Sequence, residues 1–257
     1  MVIVGYNFDK RQSLAMGVAL SGVGVGMLTL STMMQFARDY YGDFSFFIIM
    51  AGVFFHVVLF GTVCFPSSLE LGAQKKRKLE SKENPETRCN IKSMVQPYLK
   101  VGLNKGCGCL CCAMFTYCFG TCLLYLHLPE YIITKGFQAA DGTVLLALSG
   151  VVTVIGRFLT GLLLNLKFIG GMFLYIVTMI LVAISIGVFP FLVHSSIGQI
   201  MCIGSVGMFF GSCYVVLTVV TLMFVDISYL AAAIGLQMFF AGIGTLTGTV
   251  IAGKYVI

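Results

Sequence analysis

The chain lacks tryptophan altogether and has few charged residues for its length. Asp, Glu, Lys and Arg make up only 10% of its 257 residues, against about 25% in soluble globular domains. Hydrophobic residues make up 58% of the chain, and the mean hydropathy is +0.98. A water-soluble fold of this size has no interior large enough to hide that much apolar surface. The shortage of charge therefore excludes a soluble globular protein and predicts an integral membrane protein.

Other absences narrow the class further. The apolar runs are continuous and do not alternate, which excludes barrel strands and predicts an all-α membrane fold. Nucleophile–base pairs, paired carboxylates and metal-ligand spacings are missing, so we expect a protein that is not an enzyme and has no cofactor and no metal. The net charge of +6 arises mainly from one loop, so the expected surroundings are a lipid bilayer and no nucleic acid.

Seven apolar segments are long enough to cross a bilayer, at about 20 residues per span. We predict spans at residues 13–36, 44–65, 107–128, 143–164, 171–192, 198–222 and 230–252. The one long hydrophilic stretch, residues 66–105, separates the second span from the third and holds most of the basic residues. By the positive-inside rule, the N-terminus and the 66–105 loop are cytoplasmic and the C-terminus is outside.

Arg157 is the only formal charge within the predicted span 143–164. A guanidinium near the centre of the hydrocarbon costs about 2.5–3.5 kcal/mol even on the insertion scale. We therefore expect Arg157 to face a polar cavity and to hold an anion. The alternatives are that its side chain extends to the cytoplasmic surface, or that it pairs with carbonyl groups at a helix end.

Small residues form surfaces on the first and last predicted spans. Gly17, Gly22 and Gly26 belong to the first surface, and Gly244 and Gly248 to the last. Such surfaces let helix backbones approach closely in lipid. They suit static packing, and they also suit helices that slide or rock in a transporter.

Four stretches carry a resemblance to a known family. Residues 5–26, with Phe8, Lys10 and Arg11 followed by a glycine-rich run, resemble the fifth-helix signature of the monocarboxylate transporter family within the major facilitator superfamily. LHLPEYI at 126–132, SGVVTVIGRFLTGLL at 149–163 and the glycine-rich segment 231–253 resemble the family's seventh, eighth and eleventh helices, in order and spacing.

The resemblance implies a helical bundle that corresponds to helices five to eleven of a twelve-helix transporter, without the first four helices and the twelfth. Residues 1–65 are then the end of an N-terminal bundle with two transmembrane helices, and 66–105 the cytoplasmic linker. Residues 106–257 are a C-terminal bundle with five. The implied function is movement of small monocarboxylates or related organic anions by alternating access, in the plasma membrane. An ancillary single-pass membrane subunit is left open as a further partner.

The resemblance also assigns roles to residues. Arg157 matches the arginine that binds the substrate carboxylate, and the position of the family's proton-coupling aspartate, four residues earlier, is Thr153. Coupling to a proton is therefore in question. Phe209 and Phe210 are the candidates for a tenth-helix phenylalanine near the substrate.

Lys10 and Arg11, with the glycines of the first span, are the candidates for conformational gating. The alternative function is a transporter-fold protein that does not transport, such as a sensor, a receptor or a partner-binding subunit. The missing acid at Thr153 favours this alternative.

Overall fold

The structure, a computed structural model, describes residue 4 and residues 12–62, 71–72, 91–134, 136, 139–166, 169–192, 195–226 and 229–256. Their regular elements are all helical, which confirms the expected all-α fold. The helices are α1 (Gln12–Thr62), α2 (Ile91–Gly102), α3 (Lys105–Thr134), α4 (Ala139–Asn165), α5 (Gly171–Leu192), α6 (Ser196–Phe224) and α7 (Leu230–Val256).

Within the described residues, six helical segments are long and apolar enough to cross a membrane. They are Ser13–Gly42, Lys105–Leu128, Val144–Asn165, Gly171–Leu192, Ser196–Phe224 and Leu230–Ile251. The predicted span 44–65 corresponds to an apolar helix, Phe44–Leu59, which is shorter than the roughly 20 residues of a straight span. Residues 63–65 of that prediction lie outside the described residues. The chain is thus a multi-pass helical membrane protein.

Gly42 divides α1 into two helical segments. Its φ is +74° and its ψ is 174°, a conformation that is open to glycine and strained for residues with a Cβ. The break falls between the first two predicted spans, at a place where the sequence offers a short polar turn and no proline. The first segment carries the glycine surface that packs on the rest of the protein.

The remaining long helices form a bundle in which pairs of helices pack closely. The principal pairs are α3 with α7, α4 with α6 and α5 with α6, and α1 packs along α4. Glycines permit close approaches between helices, and a Cβ built at Gly248 of α7 would lie 3.0 Å from the Phe119 carbonyl oxygen of α3. Close backbone contact of this kind supplies dispersion energy, which replaces the missing hydrophobic drive between helices in lipid.

The last part of the 66–105 loop is structured and docked. Val101 of α2 is buried in a cluster with Ala232 and Ala233 at the start of α7. Lys100 Nζ donates a 3.3 Å hydrogen bond to Tyr229 Oη and lies 4.7 Å from the centre of that ring. These contacts dock the end of α2 against the beginning of α7.

Candidate functional site

Arg157 lies in the middle of α4 and is 2% exposed. It is the one charged side chain that is buried within the described part of the chain. Its Nη1 donates a hydrogen bond to the Leu20 carbonyl oxygen of α1, whereas its buried Nε has no hydrogen-bond partner among the described residues. The arginine thus reaches a neighbouring helix at mid-span and keeps one donor unused.

The backbones of α1 and α4 touch beside Arg157. A Cβ built at Gly17 would lie 2.7 Å from the Arg157 carbonyl oxygen, and one built at Gly161 would lie 2.9 Å from that of Ser13. Only glycine leaves room for such an approach. The short separation of the two backbones explains how the guanidinium reaches the carbonyl of Leu20.

The opposite side of Arg157 packs on α6. A Cβ built at Gly211 would lie 2.8 Å from Arg157 Cγ and 2.8 Å from the Thr153 carbonyl oxygen. Thr153 and Arg157 therefore share one face of α4, as their spacing of four residues predicts.

The Thr153 hydroxyl is committed to the packing of α4 on α6. Its Oγ1 donates a 2.8 Å hydrogen bond to the Gly207 carbonyl oxygen of α6, and the side chain is fully buried. The position that the family resemblance gives to an acid thus holds a neutral donor that joins two helices.

Phe210 is the centre of an aromatic cluster next to this contact. Its ring stacks on Tyr117 at 5.9 Å between ring centres and meets Tyr125 and Tyr214 edge-on, both at 5.5 Å. Tyr117 Oη also donates a 3.1 Å hydrogen bond to the Phe210 carbonyl oxygen. Phe209 and Phe210 both pack against the apolar core that α3, α5 and α6 share, but no described ring contact joins Phe209 to these tyrosines. Of the two predicted phenylalanines, Phe210 is the one that the structure brings into the aromatic cluster.

The cluster lies beside Arg157, because Phe210 is the chain neighbour of Gly211, which packs on Arg157 Cγ. Tyr117, Tyr125 and Tyr214 lie within electrostatic range of the guanidinium, and no carboxylate is among the described groups in that range. These three tyrosines are the part of the site that the sequence analysis missed. Their spacing in the sequence could have indicated them. Residues 117 and 125 fall on one face of α3, and residues 210 and 214 fall on one face of α6.

The glycines that are predicted to take part in gating differ in their contacts. Gly17 contacts α4, whereas Cβ atoms built at Gly22 and Gly26 would meet nothing within 4 Å among the described residues. Lys10 and Arg11 lie outside the described residues.

An open groove of about 500 Å³ lies between α3 and α5, on the far side of Tyr117. Apolar and small residues such as Ala113, Gly120, Val182 and Ala183 line it, together with two threonines and Tyr117. It contains no cation to attract an anion, so Arg157 and the aromatic cluster remain the candidate site. The described residues also include no group of His, Cys, Asp and Glu side chains that suits a metal ion.

The architecture defines a class of protein. Long apolar helices pack through glycines around a buried arginine that has aromatic neighbours and no carboxylate partner among the described residues, as expected of a helical membrane transporter. Residues 1–249 match the sequence profile of the Major Facilitator Superfamily. The chain therefore belongs to the major facilitator superfamily.

Curated proteins that this chain resembles include several monocarboxylate transporters. The chain is 23% identical over 278 positions to monocarboxylate transporter 12 of Mus musculus, covering 98% of this chain and 56% of the relative. It is 25% identical over 268 positions to monocarboxylate transporter 2 of Rattus norvegicus, covering 99% and 54%. A shorter match, 33% over 111 positions, covers 43% of this chain and 21% of monocarboxylate transporter 9 of Pongo abelii. The chain spans about half the length of the full-chain relatives it matches.

Proposed function

We propose that this protein moves small monocarboxylates or related organic anions across the plasma membrane by alternating access, and that Arg157 binds the substrate carboxylate. The proposal rests on the burial of Arg157 and on the partners that its guanidinium lacks. Arg157 is buried in the span, has no carboxylate partner among the described residues and keeps its Nε unpaired.

The chemistry of the guanidinium favours a carboxylate over other ligands. Its planar fork of donors matches the two oxygens of a carboxylate, which can accept two parallel hydrogen bonds. The Leu20 carbonyl oxygen supplies only a dipole and leaves the positive charge uncompensated. An incoming anion supplies the missing negative charge in a medium of low dielectric constant, where that compensation counts most.

The contact between α1 and α4 suits the conformational change. In the proposed organisation, α1 belongs to an N-terminal bundle (residues 1–65), α4 belongs to a C-terminal bundle (residues 106–257), and residues 66–105 connect the two. The hydrogen bond from Arg157 to Leu20 crosses from one bundle to the other. A substrate that takes over this donor would release the bond and so loosen the interface between the bundles.

Coupling to protons through position 153 is not part of the proposal. Thr153 has no titrating group near neutral pH, and its hydroxyl is held by Gly207. Facilitated transport, or coupling through another group, fits this site better than an acid–arginine pair. The proposed orientation keeps the N-terminus and the 66–105 loop in the cytoplasm.

Uptake of labelled lactate and pyruvate by the full-length protein, in cells and at several external pH values, tests the proposal. We expect saturable uptake that Arg157→Gln and Arg157→Lys abolish, with the amount of protein at the surface unchanged. Uptake that survives Arg157→Gln would remove Arg157 from the site. If wild-type protein reaches the surface and moves none of a panel of organic anions, the non-transporting alternative is the better one.

A further inference from the structure

Tyr125 has the one unpaired hydroxyl of the aromatic cluster, within the described residues. Tyr117 Oη donates to the Phe210 carbonyl oxygen at 3.1 Å, and Tyr214 Oη contacts Cys118 Sγ at 3.5 Å. Tyr125 Oη is buried, and no described group forms a hydrogen bond of ordinary geometry with it. Most buried tyrosine hydroxyls have a partner. An unpaired one costs about 1–3 kcal/mol, so this group needs an explanation.

The ring of Tyr125 is held in one orientation. It meets Phe210 edge-on, with 5.5 Å between ring centres and 64° between ring planes. Gly211, the next residue, packs on Arg157 Cγ. The unpaired phenol of α3 and the unpaired Nε of α4 therefore both belong to residues that border the Phe210–Gly211 segment of α6.

Ser149 is a polar neighbour of the Tyr125 hydroxyl. Its Oγ donates its own proton to the Leu146 carbonyl oxygen at 2.7 Å, and no hydrogen bond of ordinary geometry joins it to Tyr125 Oη. The phenol proton of Tyr125 therefore stays available to an acceptor that enters the cluster. A carboxylate has about four acceptor positions, more than one guanidinium edge uses.

We propose that Tyr125 is a second binding residue of the anion site, and that its hydroxyl donates a hydrogen bond to the carboxylate that Arg157 binds. The inference rests on the proposed function. A charged donor and a neutral donor on different helices fix the direction of the carboxylate, whereas Arg157 alone fixes only its charge. The edge of Phe210 then faces the organic part of the substrate.

Tyr125→Phe tests the inference, with Tyr175→Phe as a matched control. Tyr175 is 4% exposed, and its hydroxyl is likewise buried and unpaired within the described residues, but it is absent from the groups that interact with Arg157. We expect Tyr125→Phe to raise the KM for lactate or pyruvate uptake about tenfold, the loss expected for one hydrogen bond to a charged group. Tyr175→Phe should leave KM unchanged.

Thermal unfolding of the purified protein in detergent separates binding from structure. Because Tyr125→Phe removes a hydroxyl that has no partner, the Tm without substrate should stay the same or rise. The increase in Tm that lactate produces in wild-type protein should shrink in Tyr125→Phe and persist in Tyr175→Phe. A lower Tm without substrate, together with an unchanged KM, would show a structural role and overturn the inference.

The two proposals fail in different ways. If Arg157→Gln abolishes uptake and Tyr125→Phe leaves KM unchanged, the inference is overturned and the proposed function stands. If wild-type protein neither transports nor is stabilised by any carboxylate, the proposed function falls and the inference falls with it.

Discussion

The two sides of α4 are built differently. On the α6 side, side chains lock the two helices together. Thr160 Oγ1 donates to Ser212 Oγ at 2.7 Å, and Thr153 Oγ1 donates to the Gly207 carbonyl oxygen. The single Ser212 proton is shared between the Met208 carbonyl oxygen of its own helix at 2.8 Å and the Gly156 carbonyl oxygen of α4 at 3.3 Å. Each bond between the two helices forms only when α4 has one particular rotation and one particular axial position relative to α6.

Glycines bring backbone against backbone on both sides of α4, and on the α1 side this contact is almost the whole interface. Cβ atoms built at Gly17, Gly24 and Gly161 would lie 2.6–2.9 Å from carbonyl oxygens of the opposite helix. Among the described side chains, the hydrogen bond that crosses this interface is the one from Arg157 to Leu20. Contacts between smooth backbones are short but do not fix one register.

The contrast between the α4–α6 and α4–α1 interfaces indicates which of them suits movement. Hydrogen bonds between side chains keep α4 attached to α6, so these two helices should move as one body. The glycine contact with α1 can reform after a small rotation, because it depends on the absence of side chains and not on specific pairs. Arg157, the residue proposed to bind the substrate, lies between the two interfaces and bonds across the one proposed to move.

The largest expected effect is the loss of uptake in Gly17→Val. A Cβ at this position would lie 2.7 Å from the Arg157 carbonyl oxygen, so α1 and α4 must separate or shift. We expect uptake per surface molecule to fall at least about tenfold, because the bundles no longer close around the substrate. Labelled-lactate uptake, divided by the surface amount from biotinylation, measures this.

Gly22→Val is the matched control for that experiment. Gly22 belongs to the same helix and the same glycine run, but a Cβ there would meet nothing within 4 Å among the described residues. Uptake should be unaffected. Equal losses in the two variants would contradict a specific role for the α1–α4 contact.

The sequence predicted more of the fold than of the site. Continuous apolar runs and one basic loop were enough for an all-α membrane protein, and the cost of a charge in lipid was enough to single out Arg157. The glycines of α1 were predicted as one surface. The structure shows Gly17 in contact with α4 and Gly22 facing open space, because periodicity does not say which partner a face meets.

The aromatic cluster could not be predicted from the sequence, for a physical reason. Tyr117, Tyr125 and Tyr214 come together only when α3 and α6 pack, and an isolated tyrosine in an apolar helix resembles any core residue. The direction of the Thr153 hydroxyl likewise depends on the close approach of Gly207, which no local pattern indicates.

A smaller effect is expected from Gly207→Ala, on the α6 side. Its Cβ would lie 2.6 Å from the Ser149 carbonyl oxygen, and overpacking of this kind costs about 1–3 kcal/mol. We expect a lower Tm in detergent and less protein at the surface, with uptake per surface molecule largely retained. Loss of uptake at normal Tm would mean that the α6 interface also moves during transport.

Removal of the Thr160–Ser212 hydrogen bond should have a still smaller effect. A double-mutant cycle with Thr160→Val and Ser212→Ala, read by thermal or denaturant unfolding, should give a coupling of about 0.6 kcal/mol, the average for such bonds between membrane helices. Uptake should not change. A coupling near zero would remove this bond from the lock between α4 and α6.

The smallest expected effect is that of Thr153→Val on the pH dependence of uptake. Valine keeps the shape of the side chain and removes the hydrogen bond to Gly207, so the protein should lose only a few tenths of a kcal/mol of stability. If Thr153 serves only to hold α4 on α6, uptake at each external pH should match that of the wild type. A changed pH profile would show that position 153 takes part in proton movement without an acid. The α6 side of α4 would then carry chemistry as well as packing, and the contrast between the two interfaces would no longer hold.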